Sequence, residues 1–329
     1  RREYRRYCPA TGWQRVGGMS PVRENLLSQL QGSLKGPIAV LAGGSSAERD
    51  ISLSSGRAVL AAFADAGLAC ELVDTAEPGW LEKAEQFDLA FIALHGHGGE
   101  DGTVQGALLT KGIRFTGSGV LASALAMDKQ RSKLLWGGAG LPTPEFMVID
   151  DRSDLAAVYA TLGESIVKPS NEGSSIGMAR VASLAELREA YGNAKNYGTV
   201  LVERWIVGEE YTVAIVGREV LPAIRLETNN RFYDFEAKYQ STTTRYLCPC
   251  GLSEAEEIEL QNLALQAFDS LGCSGWGRVD VMRDSDDRFQ LLEVNTIPGM
   301  TDHSLVPMAA EAHGWNFQEL VLAIAVQAL

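Results

Sequence analysis

Short apolar runs recur along most of the chain, and polar or glycine-rich segments follow nearly all of them. Ile38–Ala42 is apolar and leads into Gly43-Gly-Ser-Ser, after which apolar positions repeat with a helical period over residues 51–66. Residues 70–74 and 89–94 are predicted to be further strands, and each ends in a loop. The order strand, glycine turn, helix and strand is typical of an α/β unit. We therefore predict a Rossmann-like open parallel sheet within residues 37–118.

Two more sections follow, and both mix helical with strand periods. In residues 119–207 the pattern predicts helices at 121–137, 155–162 and 184–191, and strands at 146–149, 165–168, 178–181 and 200–205. In residues 208–329 it predicts strands at 211–216, 220–226, 275–283 and 289–294, and helices at 253–271 and 316–328. Ser253 and Glu256 form a capping box at the start of helix 253–271. The chain is therefore predicted to be an α/β protein with α+β elements.

The first 36 residues differ from the rest. Arg1-Arg-Glu-Tyr-Arg-Arg6 is basic and unpatterned, although residues 23–34 could form a short helix. We expect residues 1–36 to be a disordered extension without a chemical role, so that the folded structure begins at Pro37.

Composition narrows the classes of function. The 329 residues are 46% hydrophobic and 22% charged, and the net charge is −13. Such acidity argues against nucleic acid or an anionic membrane as the main partner. The five cysteines are scattered, odd in number and without zinc-site spacing, which indicates reduced thiols. The sequence has neither an 18-residue apolar run nor the order of a secretory signal, so we expect a cytoplasmic protein.

Candidate metal chemistry lies near the end of the chain. Glu293 and Asn295 are two residues apart, so on a strand their side chains leave the same face. Arg278 and Asp280 have the same spacing on the preceding predicted strand. We expect this strand to pair with the strand of Glu293 and Asn295 as a hairpin. Carboxylate and amide oxygens suit Mg²⁺ held together with phosphate oxygens. A strand end with ordinary polar residues is the alternative.

A polar glycine loop at residues 169–177 follows Lys168. Its backbone N–H groups could fold over phosphates, although a flexible surface loop has the same composition. Because the sequence contains no Walker A pattern, any ATP site is not of the P-loop type. The loop also matches G-x-S-x-G, and Ser175, Asp280 and His303 follow the chain order of an α/β-hydrolase triad. That elbow requires a helix after the turn, whereas a strand is predicted here.

The segment from His95 to Gly102 allows two further readings. His95 and His97 could share a strand face as zinc ligands, but a catalytic zinc needs a third ligand, and only two other histidines exist. A dinucleotide fingerprint would need glycine at position 101, which is Asp101. Hydrogen-bonding or solvated histidines are therefore preferred, in a loop that lines a crevice with Glu48 at the carboxyl ends of the strands.

Seven segments together resemble the D-alanine–D-alanine ligase family of the ATP-grasp superfamily. They occur in the family's order from about residue 38 to the C-terminus. They begin at Gly43 (GGSSAER), Leu94 (LHGHGGEDG), Met127 (MDK), Val167 (VKPSNEGSSIG), Tyr233 (YDFEAKY), Gly275 (GWGRVD) and Glu293 (EVNTIPGMT).

The resemblance implies a three-domain ATP-grasp fold. Its expected parts are an N-terminal α/β substrate domain (37–118), a central ATP-grasp domain (119–207) and a C-terminal ATP-grasp catalytic domain (208–329). The last two would clamp ATP between them. A homodimer is expected by resemblance only.

The resemblance also implies roles for individual residues. ATP would be bound by Lys129, Lys168, Glu203, Trp205, Ile206, Glu210 and Lys238. Two Mg²⁺ or Mn²⁺ ions would be held by Asp280, Glu293 and Asn295. The catalytic set would be Glu48, Ser174, Tyr239, Arg278, Gly299 and Ser304. Substrate would be bound by Glu48, His95, Glu100, Tyr233, Ser304 and Leu305.

The activity implied is the ATP-dependent joining of two D-alanines through an acyl phosphate, for peptidoglycan precursors. Tyr239 resembles the D-alanine-specific members rather than those that use D-lactate, so we expect an amide product. The alternatives are an ATP-grasp ligase with another D-amino or D-hydroxy acid, or a nucleotide-binding regulator without turnover. Paired metal carboxylates and an oxyanion arginine argue against the regulator.

Overall fold

Three β-sheets follow one another along the chain, and the candidate site lies between the first and the third. The computed structural model describes residues 20–173, 176–227, 244–301 and 304–329. Within these residues, no helix combines the length and the apolar character that crossing a membrane would require.

The first sheet is parallel and has three strands, with β1 in the middle (order β2-β1-β3). Its strands are β1 (Ile38–Ala42), β2 (Cys70–Asp74) and β3 (Leu89–Ile92). Every residue of β1 and β3 is buried, as expected for parallel strands covered on both faces. This confirms the predicted Rossmann-like sheet. Helices of this part are α2 (Arg49–Asp65), α3 (Trp80–Ala84) and α4 (Thr103–Thr110).

A helix precedes this sheet and corrects one expectation. Helix α1 spans Pro21–Ser33, with the Ser20 hydroxyl capping its first turn and Pro21 at its start. Leu27 and Leu30 are buried. They face the last helix of the chain (Phe317–Val326), where Ser20 also hydrogen-bonds the Glu319 carboxylate. The predicted disorder of residues 1–36 is therefore wrong for residues 21–33, while residues 1–19 lie outside the described part of the chain.

The second sheet is antiparallel with strand order β4-β7-β5-β6. Its strands are β4 (Phe146–Ile149), β5 (Ser165–Pro169), β6 (Ala179–Val181) and β7 (Val200–Arg204). Helices α7 (Leu155–Leu162) and α8 (Leu184–Ala194) cover one face, and a 3₁₀ turn (Lys195–Tyr197) follows α8. The predicted helical run at 121–137 forms two helices, α5 (Val120–Met127) and α6 (Lys129–Gly138). Asp128 separates them because its carboxylate caps the N-terminus of α6.

The third sheet carries the predicted hairpin and has strand order β11-β10-β8-β12-β13, with β9 paired to β8. Its strands are β8 (Glu209–Val216), β9 (Glu219–Val220), β10 (Ile224–Glu227), β11 (Arg245–Leu247), β12 (Trp276–Arg283) and β13 (Phe289–Asn295). Helix α9 (Glu254–Ser270) packs on it and begins with the predicted capping box of Ser253 and Glu256.

Packing joins the two ends of the chain. The last two helices are α10 (Leu305–His313) and α11 (Phe317–Val326), and both share a hydrophobic core with the first sheet. Trp276 of β12 reaches the same core, where its ring centroid lies 6.2 Å from that of Phe91. The chain limits proposed for the three domains stay predictions, but the C-terminal helices pack with the N-terminal sheet.

Candidate active site

A cleft of about 370 Å³ lies between the first and third sheets. Its wall combines residues from distant parts of the chain. Among the predicted site residues, those that line it are Glu48, Glu100, Lys129, Arg278, Glu293, Asn295, Gly299, Ser304 and Leu305. The structure therefore brings together most of the residues to which substrate, metal or oxyanion chemistry was assigned.

The β12–β13 hairpin sets the chemistry of one wall. Asp280 lies opposite Glu293, and Arg278 lies opposite Asn295, in antiparallel register. Because alternate residues of a strand share a face, all four side chains lie on one side of the hairpin. The predicted hairpin and its face are confirmed.

Arg278 and Asp280 form a buried bidentate ion pair. Arg278 Nε donates to Asp280 Oδ1 at 2.8 Å, and Nη2 donates to Oδ2 at 2.7 Å. The Thr212 hydroxyl on β8 donates to the same Oδ1 at 2.6 Å. Both charged residues are at most 9% exposed. The paired fork fixes the plane of the guanidinium, which a lysine could not do.

Lys129 connects the hairpin to the glycine loop. Its Nζ lies 3.1 Å from Glu293 Oε2 and donates to the Glu172 carbonyl at 2.8 Å. Asn295 Oδ1 accepts from the Ile297 N–H at 3.0 Å, which orients the amide. A cation, a carboxylate and the backbone of the loop thus meet at one edge of the cleft.

The oxygen donors fit Mg²⁺ only when a ligand adds more oxygens. Asp280, Glu293 and Asn295 offer two carboxylates and an amide, which are hard donors of the kind Mg²⁺ prefers. No group of three or more His, Cys, Asp or Glu residues within the described ranges is arranged to hold a metal alone. This matches the usual binding of Mg²⁺ through one or two carboxylates plus phosphates. It also gives no support to zinc at His95 and His97.

The turn after β13 forms a second wall. The Ser304 hydroxyl accepts from the Thr301 N–H at 2.9 Å and lies at the start of α10. A methyl group on Gly299 would stand 2.8 Å from Ser304 Oγ, so glycine is needed for this close approach. The N-terminus of α10 and the adjacent hydroxyl can bind a carboxylate.

His95 lies behind the cleft and does not line it. It is 6% exposed, its Nδ1 lies 3.0 Å from the Ile297 carbonyl, and its Nε2 lies 3.1 Å from Ser55 Oγ. Ser55 Oγ in turn accepts from the Met300 N–H at 3.2 Å. Burial lowers the pKa of His95, against the opposing charge of Glu48, so the ring is neutral with its proton on Nδ1. His95 therefore supports the turn at 297–300 and does not reach into the cleft.

Two acidic residues border the cleft on the side of the first sheet. Glu48 precedes α2 and is 8% exposed. A methyl group on Gly96 or Gly173 would lie 3.0 or 3.4 Å from Glu48 Oε2, so this carboxylate fits between two glycine loops. Glu100 accepts from the Gly96 N–H at 2.6 Å. Burial, and then the charge of Glu48, raise the pKa of Glu100 to about 8, so it is protonated at neutral pH.

The predicted ATP residues of the second sheet form a separate group outside this cleft. Glu203 is 2% exposed and lies between two ammonium groups, with Lys168 Nζ at 3.0 Å and Lys133 Nζ at 2.6 Å. Burial alone would raise the pKa of Glu203, but the two lysines together hold it below its ordinary value. Trp205 is half-buried, with the Arg180 guanidinium 4.4 Å from its ring centroid.

Several residue roles assigned from the sequence stay predictions. Ile206 and Glu210 are half-buried beside Trp205 and at the start of β8. Ser174, Tyr233, Lys238 and Tyr239 lie outside the described residues, as do Ser175 and His303. The strand Ala179–Val181 follows the glycine loop where a nucleophile elbow would need a helix, so the hydrolase reading loses its support.

Two residues that contact predicted site residues were given no role from the sequence. Thr212 was missed because its contact with Asp280 depends on the register of β8 and β12. Lys133 was missed although it stands four residues after Lys129, one helical turn along the same helix, and that spacing could have identified it.

Comparisons with known proteins agree on one family. Residues 135–325 match the family model described as D-ala D-ala ligase C-terminus, and residues 72–118 match D-ala D-ala ligase N-terminus. D-alanine–D-alanine ligase of Alkalilimnicola ehrlichii is 57% identical over 296 residues, which is 89% of this chain and 95% of the relative. The enzyme of the same name from Alcanivorax borkumensis is 58% identical over 89% of this chain and 94% of its own.

Solved structures give the same result. The crystal structure of D-alanine–D-alanine ligase from Bacillus anthracis, complexed with ATP, is similar with a TM-score of 0.79 and 31% identity. The match covers 89% of this chain and 97% of that one. The D-Ala:D-Ser ligase from Enterococcus faecalis matches with a TM-score of 0.77 and 28% identity, over 89% and 99% of the two chains.

Proposed function

The chain belongs to the D-alanine–D-alanine ligase family, and we propose how its residues carry out that family's reaction. It is an ATP-dependent ligase of the ATP-grasp fold that joins two D-alanines and releases ADP and phosphate. The dipeptide serves peptidoglycan synthesis. The observation that carries the residue roles is the hairpin face, on which Arg278, Asp280, Glu293 and Asn295 lie side by side. All of these except Asp280 line the cleft.

The first step solves the problem of a poor leaving group. A carboxylate cannot expel an oxide ion, so an oxygen of the first D-alanine attacks the γ-phosphorus of ATP and ADP leaves. The product is an acyl phosphate. Such a transfer depends mainly on positioning and on neutralising charge. Lys129 and Lys168 supply positive charge to the phosphates, and Lys238 is assigned to the transferred group by its match to the family motif.

Asp280, Glu293 and Asn295 would hold the metal, which we propose to be two Mg²⁺ or Mn²⁺ ions. When bound, these ions would neutralise charge on the phosphate oxygens during transfer. Arg278 holds the Asp280 carboxylate in a fixed orientation through two hydrogen bonds, while Lys129 orients Glu293 from the other side.

The second step forms the amide. The neutral amine of the second D-alanine attacks the acyl carbon, and phosphate leaves. Arg278 and the Gly299 N–H are assigned to the oxyanion of the tetrahedral intermediate. Ser304 and Leu305, at the start of α10, would bind the carboxylate of the incoming D-alanine.

Residues near the first sheet hold the first substrate. Glu48, wedged between the two glycine loops, would pair with the ammonium of the first D-alanine. Glu100 is protonated at neutral pH and can therefore donate a hydrogen bond to a substrate oxygen. Water must be excluded, because it would hydrolyse the acyl phosphate. The loop at 169–177 and the segment with Tyr239 are assigned that closure by their family motifs.

Specificity for the second substrate is tested by product analysis. With ATP, Mg²⁺ and D-alanine, the purified enzyme is expected to form D-alanyl-D-alanine. A mixture with D-lactate at neutral pH should give the dipeptide in excess. Preferential D-alanyl-D-lactate would contradict the amide assignment, and ATP binding without ADP release for any D-amino acid would favour a regulator.

Assembly and compartment are further parts of the proposal. The family resemblance supports a homodimer, and the scattered cysteines, interpreted as reduced thiols, support a cytoplasmic enzyme. Light scattering coupled to size-exclusion chromatography should give about twice the 35.5 kDa chain mass. A monomer mass at micromolar concentration would reject the dimer.

A further inference from the structure

Lys133 is a completely buried lysine to which the reaction assigns no role. It lies on α6, one turn after Lys129, and its side chain is 0% exposed. Lysine is almost never fully buried unless it is paired, so its partners indicate why it is there.

The ammonium of Lys133 has three partners from three parts of the fold. Nζ lies 2.6 Å from Glu203 Oε2 on β7 and donates to Thr143 Oγ1 at 2.7 Å, just before β4. Its third partner, the Leu291 carbonyl on β13, is 3.4 Å away. The contact with Glu203 is an ion pair and the other two are hydrogen bonds, so the ammonium is held from three parts of the fold.

These partners connect the two sheets that would grasp the nucleotide. Glu203 belongs to the second sheet, and Leu291 precedes Glu293 by two residues on the third. Thr143 strengthens the junction, because its hydroxyl donates to the Leu291 carbonyl at 2.9 Å. The Leu291 N–H also donates to the Pro142 carbonyl at 2.9 Å. Lys133 thus lies at the seam between a proposed ATP residue and the strand of the proposed metal residues.

The charge of the cluster points to an anionic ligand. Lys133, Lys168 and Glu203 carry two positive charges and one negative charge, and each is at most 5% exposed. The nearby carboxylate of Glu293 is itself paired with Lys129, so it does not remove the excess. Burying excess charge is costly, and a well-packed apolar side chain is often no less stabilising than a buried ion pair. Stability alone therefore does not explain Lys133. The phosphates of a nucleotide beside Lys168 would balance the excess.

We propose that Lys133 is a positioning residue for the nucleotide. It holds Glu203 from one side so that the other carboxylate oxygen meets Lys168, and it ties this pair to β13. ATP then meets its adenine-side and phosphate-side residues already aligned with the metal residues. The inference rests on the ATP-binding part of the proposed function, since Glu203 and Lys168 are ATP residues only within it, and it does not depend on dipeptide formation.

The test measures ATP binding and D-alanine kinetics separately. In Lys133→Met, the Kd for MgATP, measured by isothermal titration calorimetry without D-alanine, should rise about ten-fold or more, because loss of one charged hydrogen bond has about this effect. The KM for D-alanine should stay within about two-fold of the wild-type value. Arg131→Met is the matched control. It removes a positive charge from the same helix at a side chain that is 64% exposed, and should leave both constants unchanged.

Coupling to Glu203 separates positioning from a general structural effect. If Lys133 acts through Glu203, then Glu203→Gln with Lys133→Met should weaken MgATP binding less than the product of the two single effects. A Kd for MgATP equal to that of Arg131→Met, a parallel rise in the KM for D-alanine, or full additivity in the double variant would each overturn the proposal.

Two further measurements keep the proposal testable if Lys133→Met does not fold or if the enzyme shows no turnover. If Lys133→Met does not fold by circular dichroism, Thr143→Val keeps every charge and removes one partner. A Kd for MgATP raised about three-fold supports the proposal, and an unchanged Kd overturns it. Because binding is measured without turnover, wild-type protein that binds MgATP but forms no dipeptide would refute the proposed function and leave the inference about Lys133 standing.

Discussion

Glu293 shows how one side chain can serve two charged partners in turn. In the structure its carboxylate faces Lys129 at 3.1 Å, and in the proposed reaction it holds metal beside the phosphates. The residue type and its spacing from Asn295 were sufficient to predict the metal role from the sequence. The pairing with Lys129 was not predictable, because it depends on how α6 packs against the third sheet.

Glu293→Gln should abolish most turnover while the protein stays folded. The amide keeps the shape but loses the charge that would hold the metal, and contributions of this kind are worth about 100-fold or more in kcat. Coupled ADP release with D-alanine measures the effect. Glu259→Gln, an exposed position on α9, is the control. Turnover within about two-fold of wild type in Glu293→Gln would remove this residue from the mechanism.

The raised pKa of Glu100 predicts that the free energy of unfolding depends on pH. Its pKa is raised from 4.5 to about 8 in the folded state, so the folded protein binds this proton more tightly than the unfolded chain. The resulting stability is full below about pH 4.5 and is lost as the pH rises through about 8. Glu100→Gln should therefore lose less stability than wild type between pH 5 and pH 9. The difference should be about 1 kcal/mol or more, since each pKa unit is worth about 1.4 kcal/mol.

Urea unfolding at both pH values measures this difference. Glu189→Gln, at an exposed position on α8, removes a carboxylate without changing a buried one. Equal pH slopes for wild type and Glu100→Gln would show that Glu100 titrates normally.

His95 marks a limit of sequence-based prediction at the residue scale. The resemblance assigns it to the substrate side, and that role stays a prediction. The structure adds contacts of its ring with the Ile297 carbonyl and the Ser55 hydroxyl, which the motif did not predict. More than 200 residues separate it from its carbonyl partner. Such a contact follows only from the three-dimensional packing, which a motif does not contain.

Elements with strong periodicity were predicted well, whereas two short helices were missed. The β12–β13 hairpin and α9 have clear alternation or a capping box, and both are present. Helices α3 and α4 have five and eight residues and were not predicted. Short helices are marginal alone and form because of tertiary packing, so their sequences contain little signal.

Helix α1 should contribute to the stability of the whole fold. Leu30 is 0% exposed against the last helix. Leu30→Ala should reduce the free energy of unfolding by about 2–5 kcal/mol, because it leaves a cavity at a buried site. Val22 is 42% exposed, so Val22→Ala should change the free energy of unfolding by less than about 0.5 kcal/mol. Equal effects of the two substitutions in urea unfolding would mean that α1 is not docked.

At the scale of the molecule, the site exists only when distant parts of the chain are assembled. The cleft takes Glu48 and Glu100 from the first part, Lys129 from the middle and the hairpin from the last. The order of sheets followed from the sequence, because strands and glycine turns alternate regularly. The packing of α10 and α11 on the first sheet did not, because an apolar helix face does not specify its partner.

The ligase reaction through an acyl phosphate is tested most directly with D-alanine labelled with ¹⁸O in its carboxylate. The enzyme, ATP and Mg²⁺ should convert it to D-alanyl-D-alanine, and mass spectrometry should find one labelled oxygen in each released phosphate. That oxygen can reach phosphate only if the carboxylate attacked the γ-phosphorus before the amide formed. Dipeptide formed together with unlabelled phosphate would contradict the acyl phosphate, and ADP release without dipeptide would contradict the ligase assignment itself.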